Sequence, residues 1–227
     1  MADSKTATPV ISYDAFIFDL DGTLLDTADD LGAALNSVLV DHDQPQVSAD
    51  IYRPAASNGA MALLEAGFGQ QWHAHPKQGD LRQQLLNAYA NNIATHSHCF
   101  SGIASLLIAL EQKNIKWGIM TNKPGFLTTP LVSAITELKG AQAVVSGDTL
   151  AVAKPSPLPL LHTANLLGVE PTRCLYIGDA QRDIVAAKAA NMHSATALWG
   201  YIPSVADAIG WQADFNWYSP IDAFNHI

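Results

Sequence analysis

Residues 15–23, Ala-Phe-Ile-Phe-Asp-Leu-Asp-Gly-Thr, constrain this chain more than any other stretch. Four apolar residues run straight into two carboxylates separated by one leucine, and Gly22 and Thr23 then turn the chain. An apolar run closed by a turn predicts a buried strand that delivers acid groups at its carboxyl end. Side chains repeat every second residue in a strand, so Asp19 and Asp21 start on one face while Leu20 points into the core. Carboxylates held this close repel each other unless a cation sits beside them, and a divalent metal is the economical answer. An acidic loop gives the same Asp-x-Asp spacing, so the rest of the chain has to decide.

Downstream, the pattern changes twice. From Thr27 the apolar residues Leu31, Ala34, Leu35, Val38 and Leu39 fall at helical spacing, with Asp26 or Thr27 as the cap. Helices are also expected over 60–66, ending at Gly67, and over 81–93, with no strand up to His98. After Phe100-Ser101-Gly102 strands and helices alternate. Strands are predicted at 116–120, 143–146, 175–177 and 194–198, with helices at 103–113, 124–138 (Pro130 bending or dividing it), 158–167 and 183–190. Alternation predicts a parallel sheet with helices on its faces and ligands at the carboxyl ends of its strands. The expected fold class is therefore α/β, a Rossmann-like parallel sheet core (10–26 and 99–227) carrying an inserted all-helical cap domain (27–98).

Three further strand ends carry polar residues: Thr121-Asn122 in IMTNKP, Lys154 in AKPSP, and Asp179 with Asp183 in YIGDAQRDI. Alone, Thr121 also reads as a helix cap, Lys154 as a solvated lysine and Asp183 as a helix-start acid. Together with DLDGT they resemble the four motifs of the haloacid dehalogenase superfamily, over essentially the whole chain.

The resemblance implies an enzyme that forms an aspartyl phosphate on Asp19. Asp21 would protonate the leaving alcohol and then activate water, and an aspartate there points to a phosphatase or phosphomutase. Thr121 and Asn122 would hold phosphate oxygens, and Lys154, extended by Pro155, would offset charge on Asp19 and the phosphoryl group. Mg²⁺ would take the Asp19 carboxylate, the Asp21 carbonyl and the Asp179 carboxylate, with Asp183 behind, bonded to Lys154 or to a metal-bound water. Many relatives have Asn where this chain has Arg182.

Within the superfamily, HSHCFSGIASLLIALE, KWGIMTNKP, GDAQRDI and ALWGYI look like the phosphoglycolate phosphatase branch and, inside it, the N-acetylmuramic acid 6-phosphate phosphatases. Both substrates are small phosphorylated metabolites bearing a carboxylate. Arg53 in the cap is a candidate partner for that carboxylate, with Asn58 beside it, although Arg53 also reads as a surface charge. The alternatives are a sugar phosphomutase of the β-phosphoglucomutase type and an inactive binding protein of the same fold. The second would be expected to have lost one of Asp19, Asp21, Lys154 or Asp179.

A formal charge of −9 argues against nucleic acid and anionic membranes. The amino terminus, MADSKTATPV, has no apolar core of signal-peptide length, and no uninterrupted apolar run is long enough to span a bilayer, so no export or membrane insertion is expected. Two cysteines, Cys99 and Cys174, make no disulfide framework, so a cytoplasmic enzyme is expected, as a monomer or a weak homodimer. The pairs His73/His75 and His96/His98 lack zinc-site helical spacing and read as solvated residues.

Overall fold

The structure is a computed structural model that describes residues 12–69, 72 and 75–227, so His73 lies outside the described residues. In chain order, β1 (Ala15–Phe18) and the short β2 (Leu25–Asp26) lead into four helices, α1 (Ala28–Asp41), α2 (Ala49–Ala56), α3 (Gly59–Phe68) and α4 (Gln78–Asn91). Next come β3 (His98–Cys99), α5 (Ile103–Gln112), β4 (Lys116–Met120), α6 (Gly125–Ala134), β5 (Ala143–Val145) and α7 (Leu158–Leu167). The chain closes with β6 (Cys174–Gly178), α8 (Gln181–Ala189), β7 (His193–Ala197), α9 (Val205–Ile209) and β8 (Phe215–Trp217).

Six strands form one parallel sheet in the order β5-β4-β1-β6-β7-β8, and β2 pairs with β3 in a separate antiparallel ribbon. Strand β1 is buried on both faces, which is why it is continuously apolar. Its alternate residues feed two cores. Phe16 and Phe18 pack with Trp117, Ile119 and the α5 leucines, while Ala15 and Ile17 pack with Tyr176, Leu160 and Ala186. Because β1 lies between β4 and β6, the carboxyl ends of three strands from distant parts of the chain meet at one crevice.

Helices α1 to α4 share an apolar cluster of their own, built on Leu31, Leu35, Leu39, Leu63, Leu85 and Tyr89, and Leu127 and Tyr201 from the sheet-bearing part pack into it. The segment that returns from this lobe is held by Asp30, which is buried on α1. Its carboxylate accepts hydrogen bonds from the backbone N–H groups of His96 and Ser97 and from the Ser97 hydroxyl.

The structure differs from the sequence expectation in places with a local reason. Helix α3 runs through Gly67, where an added methyl group would press on Leu35 and Leu39 of α1 at 3.0–3.2 Å. Helix α6 accommodates Pro130 but stops at Ala134, and a 3₁₀ turn continues the path over Thr136–Gly140. Helix α8 starts at Gln181, two residues earlier than expected, because the Asp183 carboxylate accepts from Ala180 N–H at 2.9 Å and so closes the first turn. No described helix is long and apolar enough to cross a membrane.

Candidate active site

Asp19 is the first residue beyond β1 and is 3% exposed. Its Oδ1 accepts from Leu20 N–H at 2.7 Å, and its Oδ2 lies 3.0 Å from the Lys154 ammonium. Lys154 Nζ is fully buried. It also reaches Asp183 Oδ1 at 2.8 Å, the Tyr176 hydroxyl at 2.7 Å and the Met120 carbonyl at 3.2 Å. Asn122 positions this lysine through its backbone: the Asn122 amide donates to the Lys154 carbonyl at 2.9 Å and accepts from its N–H at 3.0 Å. Thr121 is buried, and its Oγ1 accepts from Lys123 N–H at 3.2 Å, leaving the hydroxyl hydrogen for another acceptor.

Asp179 ends β6 as Asp19 ends β1. Its Oδ2 accepts from Tyr201 N–H at 3.0 Å and its Oδ1 from the Ser57 hydroxyl at 3.2 Å. Gly22 makes the approach possible. It has a φ of +79°, and a Cβ there would run into the Asp179 carboxylate. Asp19, Asp179 and Asp183 bring carboxylate oxygens within 4.8 Å of one another, and no other such group of metal-ligating side chains occurs among the described residues. Burial first, and then the charges of Asp19 and Asp183, push the Asp179 carboxyl up to about 8. Three buried acids of this kind, all hard oxygen donors, fit a small divalent cation.

Asp21 faces a second cation. Lys123 Nζ donates to its two oxygens at 3.0 and 3.2 Å, and Thr27 Oγ1 donates to Oδ1 at 2.6 Å. Lys123 also lies 4.3 Å from the ring centroid of Tyr89 on α4. Burial opposes the charge on Lys123, but Asp21 and Tyr89 outweigh it and hold the ammonium above its ordinary range. Sequence reasoning gave Lys123 no role. The signal was its place two residues past Thr121 at a strand end, beside residues already assigned.

A cavity of about 320 Å³ opens above these groups between the sheet and the helical lobe. Asp19, Asp21, Thr121, Asn122 and Lys123 form its floor, and Leu31, Met61, Leu85, Leu86 and Leu127 make its wall apolar. Asn58 and Arg182 line it as well. Arg53 does not. Its guanidinium is engaged outside the cavity with Asp29 Oδ1 at 3.1 Å and with Asp26, and it lies 5.8 Å from the Tyr201 ring centroid. Arg82 on α4 does line the cavity and has no ion-pair partner among the described residues.

A family model described as haloacid dehalogenase-like hydrolase matches residues 16–197. A phosphoglycolate phosphatase of Xanthomonas campestris pv. campestris is 40% identical over 200 residues, covering 88% of this chain and 90% of that protein. An N-acetylmuramic acid 6-phosphate phosphatase of Pseudomonas aeruginosa is 36% identical, with 88% of each chain covered. Among solved structures, one described as a predicted phosphoglycolate phosphatase from Haemophilus somnus 129PT superposes with a TM-score of 0.83 at 26% identity, covering 93% of this chain and 96% of that one.

Proposed function

The chain belongs to the haloacid dehalogenase-like hydrolases and is a phosphatase, and from that premise we propose that it hydrolyses small, carboxylate-bearing phosphomonoesters through an aspartyl phosphate on Asp19, with Mg²⁺. One observation carries the reading: a buried aspartate at the end of β1, paired with a buried lysine, forms the floor of a closed-in cavity.

In the first step an Asp19 oxygen attacks phosphorus, the bond from phosphorus to the leaving oxygen breaks, and Asp21 gives that oxygen a proton. In the second, Asp21 takes a proton from water, the water oxygen attacks phosphorus, and Asp19 leaves with inorganic phosphate as the product. Thr121 holds a phosphoryl oxygen through its free hydroxyl hydrogen. Lys154 neutralises Asp19 and the phosphoryl charge, and Asn122 and Asp183 keep its ammonium in place. The Asp19 carboxylate, Asp21 carbonyl and Asp179 carboxylate, with Asp183 behind them, would hold Mg²⁺, which supplies further neutralisation of phosphoryl charge.

The division into core (10–26 and 99–227) and cap (27–98) assigns chemistry to the first and selectivity to the second. The cavity volume equals roughly ten waters at ~30 Å³ each, which suits a phosphoryl group on a compact leaving group. Ser57, Asn58, Arg82 and Tyr89 are the polar cap residues that line it and Arg82 is the cation among them, so Arg82 is the group we assign to the substrate carboxylate, and Arg53 secures the base of the cap. The chain acts as a monomer or weak homodimer in this reading, and its two free cysteines suit the reducing cytoplasm.

The test is phosphate release across a panel of phosphorylated metabolites. The proposal requires turnover of carboxylate-bearing members such as 2-phosphoglycolate or N-acetylmuramic acid 6-phosphate, dependent on Mg²⁺ and lost in Asp19→Asn. Turnover that survives in Asp19→Asn, or no hydrolysis of any phosphomonoester, would refute it.

A further inference from the structure

Arg182 stands where the two lobes meet. It comes from the first turn of α8, three residues beyond Asp179, and its side chain is 22% exposed. One terminal nitrogen donates to Asn58 Oδ1 at 3.1 Å. The other donates to the Ser57 carbonyl at 2.7 Å and to the Ser57 hydroxyl at 3.2 Å, and lies 3.9 Å from Asp19 Oδ2. The Ser57 hydroxyl in turn donates to Asp179 Oδ1 at 3.2 Å. The turn between α2 and α3 is thus fastened to the core by two residues of the same strand-end segment.

A guanidinium carries five N–H donors in a planar fork. Arg182 spends its donors on the cap turn, yet its Nε is buried with no acceptor. Buried donors are nearly always matched, so an unmatched one calls for an acceptor that the protein itself does not provide. The guanidinium also lines the cavity next to the nucleophile, where an anion bonded to Asp19 would come within its reach. An oxygen of that phosphoryl group would give the Arg182 Nε the acceptor it lacks.

We infer that Arg182 is a phosphoryl-binding residue whose other contacts seat the Ser57–Asn58 turn, so that a phosphoryl group held by Arg182 strengthens the fastening of the cap. This rests on the phosphatase reading and adds to it a cap that senses phosphate. The loss on removing Arg182 should fall on every phosphomonoester alike, because the group it reads is the one they share.

Hydrogen exchange with inorganic phosphate and Mg²⁺ tests the inference without turnover. In the wild type, phosphate should slow exchange both at 121–123, in the phosphoryl site, and at 56–60, in the cap turn. In Arg182→Ala, protection at 56–60 should disappear, phosphate affinity should fall at least tenfold, and kcat/KM for an aryl phosphate should fall about 10²-fold or more, the scale set by losing one charge-stabilising donor. Should that variant fail to fold, Arg182→Lys keeps the charge without the fork and should lose at least tenfold in phosphate affinity. Protection at 121–123 with none at 56–60 in the wild type, or unchanged phosphate affinity in either folded variant, would overturn the inference and leave the phosphatase reading intact. No phosphate binding at all in the wild type would overturn both.

Discussion

Replacing Lys154 with methionine keeps length and volume but removes the charge that Asp19 and Asp183 share at 3.0 and 2.8 Å. Both carboxylates are buried, so neither can turn to water instead. Removing one partner of a buried ion pair costs about 3–5 kcal/mol, because the other charge is left uncompensated. For a chain of this size that corresponds to a Tm lower by roughly 6–20 °C, at about 2–4 °C per kcal/mol. The assay is thermal and urea unfolding at pH 7.5 in chelator. Two accompaniments identify the cause. The loss should shrink toward pH 5, where the stranded Asp183 carboxyl, already raised by its burial, can take up a proton, and it should shrink when Asp183→Asn is added, giving less than the sum of the single losses. A loss below about 1 kcal/mol at pH 7.5, or full additivity of the two substitutions, would refute the idea that Lys154 is held by charge in this cluster.

The remaining predictions concern the metal and the cap. In metal-free buffer Asp179 keeps its proton in the folded protein up to about pH 8 but ionises near pH 4 when unfolded, so the native state binds more protons between those limits and stability falls as pH rises through them. Mg²⁺ competes with that proton; its apparent affinity, measured by calorimetry from pH 6 to 8.5, should rise with pH, and a flat profile would contradict the raised value. Arg82→Ala should lower kcat/KM by about ten- to a hundredfold on a carboxylate-bearing substrate and little on an aryl phosphate, the scale of losing a charged hydrogen-bond partner. Arg53→Ala should instead affect both substrates equally, since its contacts are with Asp26 and Asp29; the reverse pattern would return carboxylate recognition to Arg53.

The core was legible because its signals are local. Apolar runs that end in Asp19, Thr121 and Asp179 mark strand ends, and β1 sits between β4 and β6, which converts three separate signals into one site. Helix α2 was not anticipated: it contains Pro54 and buries only Ala56, so it has no apolar period to read. Strands β2, β3 and β8 are two or three residues long and exist through their pairing rather than through a pattern of their own. The contacts between lobes were invisible for another reason. Lys123 with Tyr89 and Arg182 with Ser57 and Asn58 depend on how two separately packed clusters face each other, and no spacing along the chain encodes that. Arg53 shows the same limit, since the acids that hold it lie 27 and 24 residues away.

Phosphorylation of Asp19 can be read directly. Borohydride added during steady-state turnover reduces an acyl phosphate to the alcohol, so an aspartyl phosphate is recorded as homoserine in the peptide that carries it. Peptide mass spectrometry should find homoserine at position 19 in the wild type, only with substrate present, and at no position in Asp19→Asn. Substrate-dependent reduction at any other carboxylate, or rapid turnover with position 19 unmodified, would contradict the account.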